Sequence, residues 1–171
     1  MGLSLVPYAA FMNTPSGPAV NFYTDALVNY GKLSLNVQTA FPETGRTFIE
    51  IRGGAYFTCR LLLRIPDYSA DFAVLLNGEP CQWKTDPDYP GYAAVEGPFA
   101  EGMVLQVDFT IKDSRVISGG SVNPAGNGKV LLKHGPLVLA RDNREADIYA
   151  KVRGEGEFAP EPAEAPAWAL L

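Results

Sequence analysis

The stretch FTCRLLLRIPDYSADFAVLLNGEP, residues 57–80, decides the fold class of this 171-residue chain. Its first half alternates apolar and polar side chains, which is the period of a β-strand with one buried face. Pro66 ends that strand because proline has no N–H group to donate to a sheet. Asn77 and Gly78 stand between two further segments and suit the positive φ angles of a tight hairpin turn. The stretch therefore predicts a strand that ends at Pro66, followed by a second strand that leads into a hairpin turn at Asn77 and Gly78.

Period-two patterning recurs along the rest of the chain, and no window shows a convincing helical period. Strands are predicted at residues 19–23, 32–39, 47–52, 91–96 and 103–111. Residues 24–30 predict a turn or a short helical turn. Residues 130–142 predict one buried strand with a kink at Gly135 and Pro136. With 17 Gly and 14 Pro between short strands, the predicted fold is all-β, an antiparallel β-sandwich or jelly roll.

The chain divides by composition into a domain and a tail. We expect a sandwich domain over residues 1–152, within which residues 1–18 are a docking segment from a preceding domain. Residues 153–171 are rich in Pro, Glu and Ala and form a C-terminal segment. The apolar stretches LSLVPYAAFM (residues 3–12) and AWALL (residues 167–171) are candidate contact segments, because an isolated domain rarely leaves such runs uncovered.

Charge and hydropathy exclude several classes of partner. There are 14 basic and 19 acidic residues, a net charge of −5, and no basic stripe forms. Nucleic acid and anionic membranes are therefore not predicted as partners. The sequence has neither an apolar run of membrane-spanning length nor the pattern of a signal peptide, so a cytoplasmic location is predicted.

The two cysteines and the single histidine are the first candidates for catalytic or metal-binding residues. Cys59 has Arg60 beside it, but neighbours on a strand point to opposite faces, so Cys59 is predicted to be a core residue. Cys81 follows the hairpin and is expected to be exposed; whether the two cysteines pair stays open. His134 is predicted to be partly buried and bonded to backbone. Cysteine and histidine, the usual zinc ligands, are few and widely spaced in this sequence. No metal or other cofactor is therefore predicted.

Acidic and aromatic residues cluster around the loop KTDPDYPGYAAVE, residues 84–96. The acids in or near it are predicted to be loop-solvating residues and not a pair for glycoside hydrolysis: Glu79, Asp86, Asp88 and Glu96. Three aromatic residues flank the same loop and are candidate carbohydrate contacts, because exposed rings stack on sugars: Trp83, Tyr89 and Tyr92. The alternative is that these rings cover one end of the sandwich.

Six strings occur in an order that resembles one family: VNFYTDAL, TAFPETGRTFIEIRG, FTCRLLLRIPDYS, VLLNGEP, GYAAVEGPFAEGMVLQVDF and HGPLVLARD. Together, over residues 18–142, they resemble the C-terminal β-sandwich region of the β-L-arabinofuranosidases of glycoside hydrolase family 127 (GH127). The resemblance implies a catalytic α/α-barrel that precedes the sandwich and uses a cysteine nucleophile on zinc. The barrel's Cys-Cys pair has no counterpart here, so no catalytic residue carries over. The chain also departs from the family's pattern at three positions, where the family has Trp, Arg and Trp and this sequence has Tyr68, Gly97 and Phe99.

These observations lead to three hypotheses about function. The first is a non-catalytic accessory domain that supports or docks to a catalytic α-barrel, with a second copy of this chain as another candidate partner. The second is a free-standing carbohydrate-binding module that uses the three aromatic residues. The third, an autonomous glycosidase, would need two carboxylates facing each other across a cleft.

Overall fold

The computed structural model describes residues 6–53, 58–117 and 130–139. A five-residue helix, α1 (Val6–Ala10), comes first. The strands are β1 (Phe11–Thr14), β2 (Gly17–Val20), β3 (Ala26–Asn29), β4 (Ser34–Thr39), β5 (Thr47–Arg52), β6 (Arg60–Arg64), β7 (Ser69–Leu76), β8 (Glu79–Pro80), β9 (Lys84–Thr85), β10 (Tyr92–Glu96), β11 (Val104–Ile111), β12 (Asp113–Ile117), β13 (Val130–His134) and β14 (Leu137–Leu139). They belong to two compact units, Met1–Lys112 and Asp113–Leu171.

The first unit is a sandwich of two sheets. One sheet has the strand order β1-β2-β6-β10-β9, and the other has the order β3-β4-β5-β11-β7-β8. Neighbouring strands are antiparallel, except that β2 and β6 run parallel. A single apolar cluster contains residues of both sheets. The predicted all-β sandwich is therefore confirmed, with one parallel pair that the sequence did not indicate.

Alternation along the strands builds the core between the sheets. Leu35 pairs with Ile51 and Val37 with Ile49 across β4 and β5, and all four side chains are buried. Burying each one stabilises the fold by about 1.5–3 kcal/mol relative to exposure. The alternate residues of β11 are buried in the same way: Leu105, Val107 and Phe109. The strands predicted at residues 32–39, 47–52 and 103–111 are confirmed.

The three leucines of β6 are all buried, on two different faces of the sheet. Leu61 and Leu63 belong to the core between the sheets. Leu62 points to the outer face, where it packs with Ala19 and Ala94. Leu62, which breaks the alternation in the sequence, therefore anchors a second apolar cluster, because part of the outer face is itself covered.

Two local predictions in the first unit have different outcomes. Asn77 and Gly78 have φ angles of 51° and 84°, and they join β7 to β8 as the predicted tight hairpin. By contrast, the turn or helical turn predicted at residues 24–30 is wrong. Ala26–Asn29 is a strand that pairs with β4, and its Val28 packs against the core.

The second unit contains a three-stranded sheet, β12-β13-β14. The single kinked strand predicted over residues 130–142 is wrong, because Gly135, with φ of 52°, allows the chain to reverse into the β13–β14 hairpin. His134 is partly buried as predicted, but its Nδ1 lies 2.7 Å from Asp113 Oδ1. The imidazole is therefore bonded to a carboxylate and not to backbone.

Some predictions fall outside the described residues, among them the C-terminal segment 153–171 and the start of the docking segment at residues 1–5. The boundary between residues 152 and 153 stays a prediction. No helix in the described part of the chain is long and apolar enough to cross a membrane.

Candidate functional site

A polar cleft lies at the β9 edge of the five-stranded sheet. Its volume is about 670 Å³, within the range of small-molecule sites in proteins. The lining comes from the strands β6, β9 and β10 and from the segments before and after β9: Arg60, Cys81, Gln82, Trp83, Lys84, Thr85, Asp86, Pro87, Ala94 and Glu96. The cleft therefore combines one aromatic side chain with charged groups of both signs.

The guanidinium of Arg60 joins two carboxylates in this cleft. Its Nε donates to Glu96 Oε1 at 2.8 Å, and its Nη1 donates to Asp86 Oδ2 at 3.1 Å. Arg60 and Glu96 are direct partners across β6 and β10, so the sheet itself sets their spacing. Glu96 first, and then Asp86, raise the pKa of Arg60. The guanidinium is thus held as a fixed cation.

Asp86 is the buried member of this cluster, with a side chain that is fully inaccessible. Its Oδ1 accepts the backbone N–H groups of Asp88 and Tyr89, both at 3.0 Å, which is the bonding of an Asx turn. The prediction that Asp86 solvates its loop is therefore wrong. Glu79, Asp88 and Glu96 are exposed as predicted.

Trp83 and the two tyrosines pack against different apolar clusters. Trp83 lines the cleft and meets the ring of Phe72 edge-on, with 5.5 Å between centroids. Tyr89 and Tyr92 pack over the outer cluster around Leu62, with their centroids 6.3 Å apart. The contact of these three residues with carbohydrate stays a prediction.

Tyr92 is held by two further contacts. Its hydroxyl lies 2.5 Å from Asn21 Oδ1, and Arg64 lies over its ring at 5.4 Å from the centroid. These contacts join β10 to the segment after β2 and fix the ring in place. Tyr92 thus has a packing role in the outer cluster.

Both thiols are half-buried and pack against the main core. Burial raises the pKa of Cys59, and the negative charge of Glu96 raises it further. Burial also raises the pKa of Cys81, which is less exposed than the sequence indicated. A raised pKa keeps a thiol protonated and weakly nucleophilic. In the described residues no group of three or more His, Cys, Asp or Glu side chains could hold a metal ion.

An apolar groove lies elsewhere on the first unit, between α1 and β3. Its volume is about 510 Å³. Tyr8 and Leu27 line it with exposed fractions of 77% and 75%, and the buried Ala10 and half-buried Val28 lie among the lining residues. Polar residues line it as well: Thr24, Asp25 and Asn29. An apolar centre with polar neighbours is the composition of a protein interface.

The sequence did not reveal the Arg60 cluster or the groove. Two signals of the cluster were present: Arg60 and Glu96 are polar ends of strands that pair, and Asp86-Pro87 has the composition of an Asx turn. The pairing register of β6 and β10, which brings Arg60 and Glu96 together, could not be predicted from the sequence of either strand alone. The groove was missed because residues 24–30 were not recognised as a strand.

Comparisons with known proteins agree with this architecture. Residues 19–111 match the family model described as "Beta-L-arabinofuranosidase, GH127 middle domain". A β-L-arabinofuranosidase of GH127 from Geobacillus stearothermophilus T6 is similar in structure, with a TM-score of 0.62 and 22% identity over 78% of this chain. A GH127 β-arabinofuranosidase has a TM-score of 0.57 and 24% identity over 71% of this chain. A structure titled glycoside hydrolase has a TM-score of 0.60 and 23% identity over 75%. Comparison with curated proteins gives no match.

The family match covers more than half of the chain, so this chain belongs to the GH127 middle-domain family. The predicted resemblance to GH127 is thereby confirmed. The chain spans 22%, 21% and 22% of the three solved chains it resembles. Those proteins are thus much longer than the part that corresponds to this domain.

Proposed function

We propose that this domain has a non-catalytic, accessory role and docks on a GH127 catalytic α-barrel through the groove between α1 and β3. The observation that carries the proposal is the exposure of Tyr8 and Leu27 at 77% and 75% in a domain of the GH127 middle-domain family. Large side chains at the centre of a contact, surrounded by polar groups, provide most of the binding free energy in protein interfaces.

The environment of the candidate catalytic groups supports a non-catalytic role. Glycoside hydrolysis requires two carboxylates that both reach the substrate. The Asp86 side chain is fully inaccessible and accepts from Arg60, so it cannot act as one member of such a pair with Glu96. Cys59 and Cys81 have raised pKa values and are poor nucleophiles at neutral pH. These groups serve the fold of the domain.

The shape of the groove supports a protein partner. α1 and the edge strand β3 supply the exposed side chains, and within the described part of the chain β3 pairs only with β4. Its other edge therefore presents unpaired backbone groups beside the groove, which a partner segment can pair with or cover. A partner that covers Tyr8 and Leu27 removes apolar surface from water, at about 25 cal/mol per Å².

Binding to a catalytic barrel tests this proposal. The full chain would be titrated by calorimetry with the GH127 catalytic α-barrel encoded nearest to it in its own genome. We expect saturable binding, and we expect Tyr8→Ser with Leu27→Ser to weaken it by at least about tenfold, because truncating a central anchor typically costs more than 1 kcal/mol.

A matched variant controls for the loss of any exposed aromatic residue. Phe48 on β5 is 41% exposed and lies outside the groove lining, so Phe48→Ser should bind as the unaltered chain does. All variants should keep the thermal melting of the parent. Absence of binding, or equal weakening by Phe48→Ser, would contradict the proposal.

A further inference from the structure

We propose that the polar cleft at the β9 edge binds a neutral saccharide, with Arg60, Trp83 and Glu96 as the contacting residues. This site differs from the aromatic trio that the sequence indicated, because Tyr89 and Tyr92 pack in the outer cluster. It is also independent of docking, since Tyr8 and Leu27 line a different groove.

The first argument is the hydrogen-bonding capacity that the cleft leaves unused. A guanidinium carries five N–H donors, and Arg60 uses one for Glu96 and one for Asp86. Three donors therefore have no partner among the described residues, and the Arg60 side chain is 38% exposed. The second carboxylate oxygen of Glu96 and the indole N–H of Trp83 likewise have no hydrogen bond to the described part of the chain.

The second argument is the fixed position of these groups. Arg60 is anchored by Asp86, whose carboxylate is fully buried and is itself held by two backbone N–H groups. Trp83 is held by its edge contact with Phe72. A ligand therefore meets groups that are already ordered, which reduces the conformational entropy lost on binding.

The third argument is charge, which selects the class of ligand. Two cations, Arg60 and Lys84, and two anions, Asp86 and Glu96, line the cleft, so its formal charge at neutral pH is zero. A phosphate or a carboxylated ligand would meet no net attraction there. Donors beside an acceptor suit neighbouring hydroxyl groups, each of which both donates and accepts, and the indole suits the apolar face of a sugar ring.

A titration followed by nuclear magnetic resonance tests this inference directly. The full chain has two tryptophans, so Trp83→Phe assigns the two indole N–H signals. The probes are three neutral trisaccharides (xylotriose, α-1,5-arabinotriose and β-1,4-galactotriose) and one anionic trisaccharide, trigalacturonic acid. We expect at least one neutral probe to shift the Trp83 signal in a saturable way, and trigalacturonic acid to bind more weakly.

Glu96→Gln keeps the shape of a solvent-exposed side chain and removes its charge. We expect this variant to bind the neutral probe about tenfold more weakly, because the amide oxygen of Gln is a neutral and therefore weaker acceptor than the carboxylate. Glu43→Gln, an exposed acid outside the cleft, is the matched control and should bind as the parent does, with both variants folded as judged by melting. No shift with any neutral probe, stronger binding of trigalacturonic acid, or identical binding by the two variants would overturn the inference. None of these outcomes depends on whether the chain docks on a catalytic barrel.

Discussion

The polar cleft and the apolar groove are surfaces of one unit that differ in charge, because four charged side chains line the cleft and one lines the groove. In the cleft, a buried carboxylate orders a cation, and the cation orders an exposed carboxylate. In the groove, Tyr8 and Leu27 are largely exposed to solvent, and neither side chain has a hydrogen bond to the residues that the structure describes. Ordered polar groups suit the small polar ligand that we propose for the cleft, whereas exposed apolar side chains suit the protein partner that we propose for the groove. Destabilising the cleft should damage the fold, whereas altering the groove should leave the fold intact.

The largest expected effect tests whether the cleft is part of the fold. Asp86→Ala should lower the free energy of unfolding by about 3 kcal/mol, because two backbone N–H groups and a guanidinium lose their buried acceptor. Chemical denaturation of the full chain measures the change. Asp88→Ala, an exposed acid on the same loop, should alter stability by no more than about 0.5 kcal/mol. Similar effects of the two variants would show that the Asp86 network does not hold the cleft together.

A smaller effect concerns the thiols near the cleft. Because burial raises the pKa values of Cys59 and Cys81, the thiolate fraction at pH 8.5 should be lower than that of a free thiol. Alkylation by iodoacetamide, followed by mass spectrometry, should therefore be several-fold slower than for glutathione, and it should accelerate in denaturant. Removing the negative charge in Glu96→Gln should speed labelling at Cys59 more than at Cys81. Labelling of the folded chain as fast as glutathione would contradict the structural role assigned to these thiols.

The sequence predicted the strands whose two faces differ in polarity. On β4, β5 and β11 one face packs against the core and the other faces solvent. Apolar and polar residues therefore alternate in the sequence of these strands. The hairpin turn at Asn77 and Gly78 could also be predicted from neighbouring residues alone. Cys59 packs against the core as the same alternation indicated, although it is only half-buried and precedes β6.

The remaining features depend on contacts between distant segments. Leu62 breaks the alternation because Tyr89 and Tyr92 cover the outer face of its sheet, which no local pattern indicates. β3 has only four residues, and its pairing with β4 outweighs its weak local signal. Arg60 and Asp86 are 26 positions apart, so the cluster depends on how β6, β9 and β10 pair.

Hydrogen–deuterium exchange of the full chain, alone and with the GH127 catalytic α-barrel from its own genome, tests the division between the two surfaces most directly. We expect slower exchange at residues 8–14 and 24–29, which contain the groove, and unchanged exchange at residues 82–87, which line the cleft. Slower exchange at residues 82–87 with none in the groove, or no change in either surface, would show that the groove between α1 and β3 is not the docking surface.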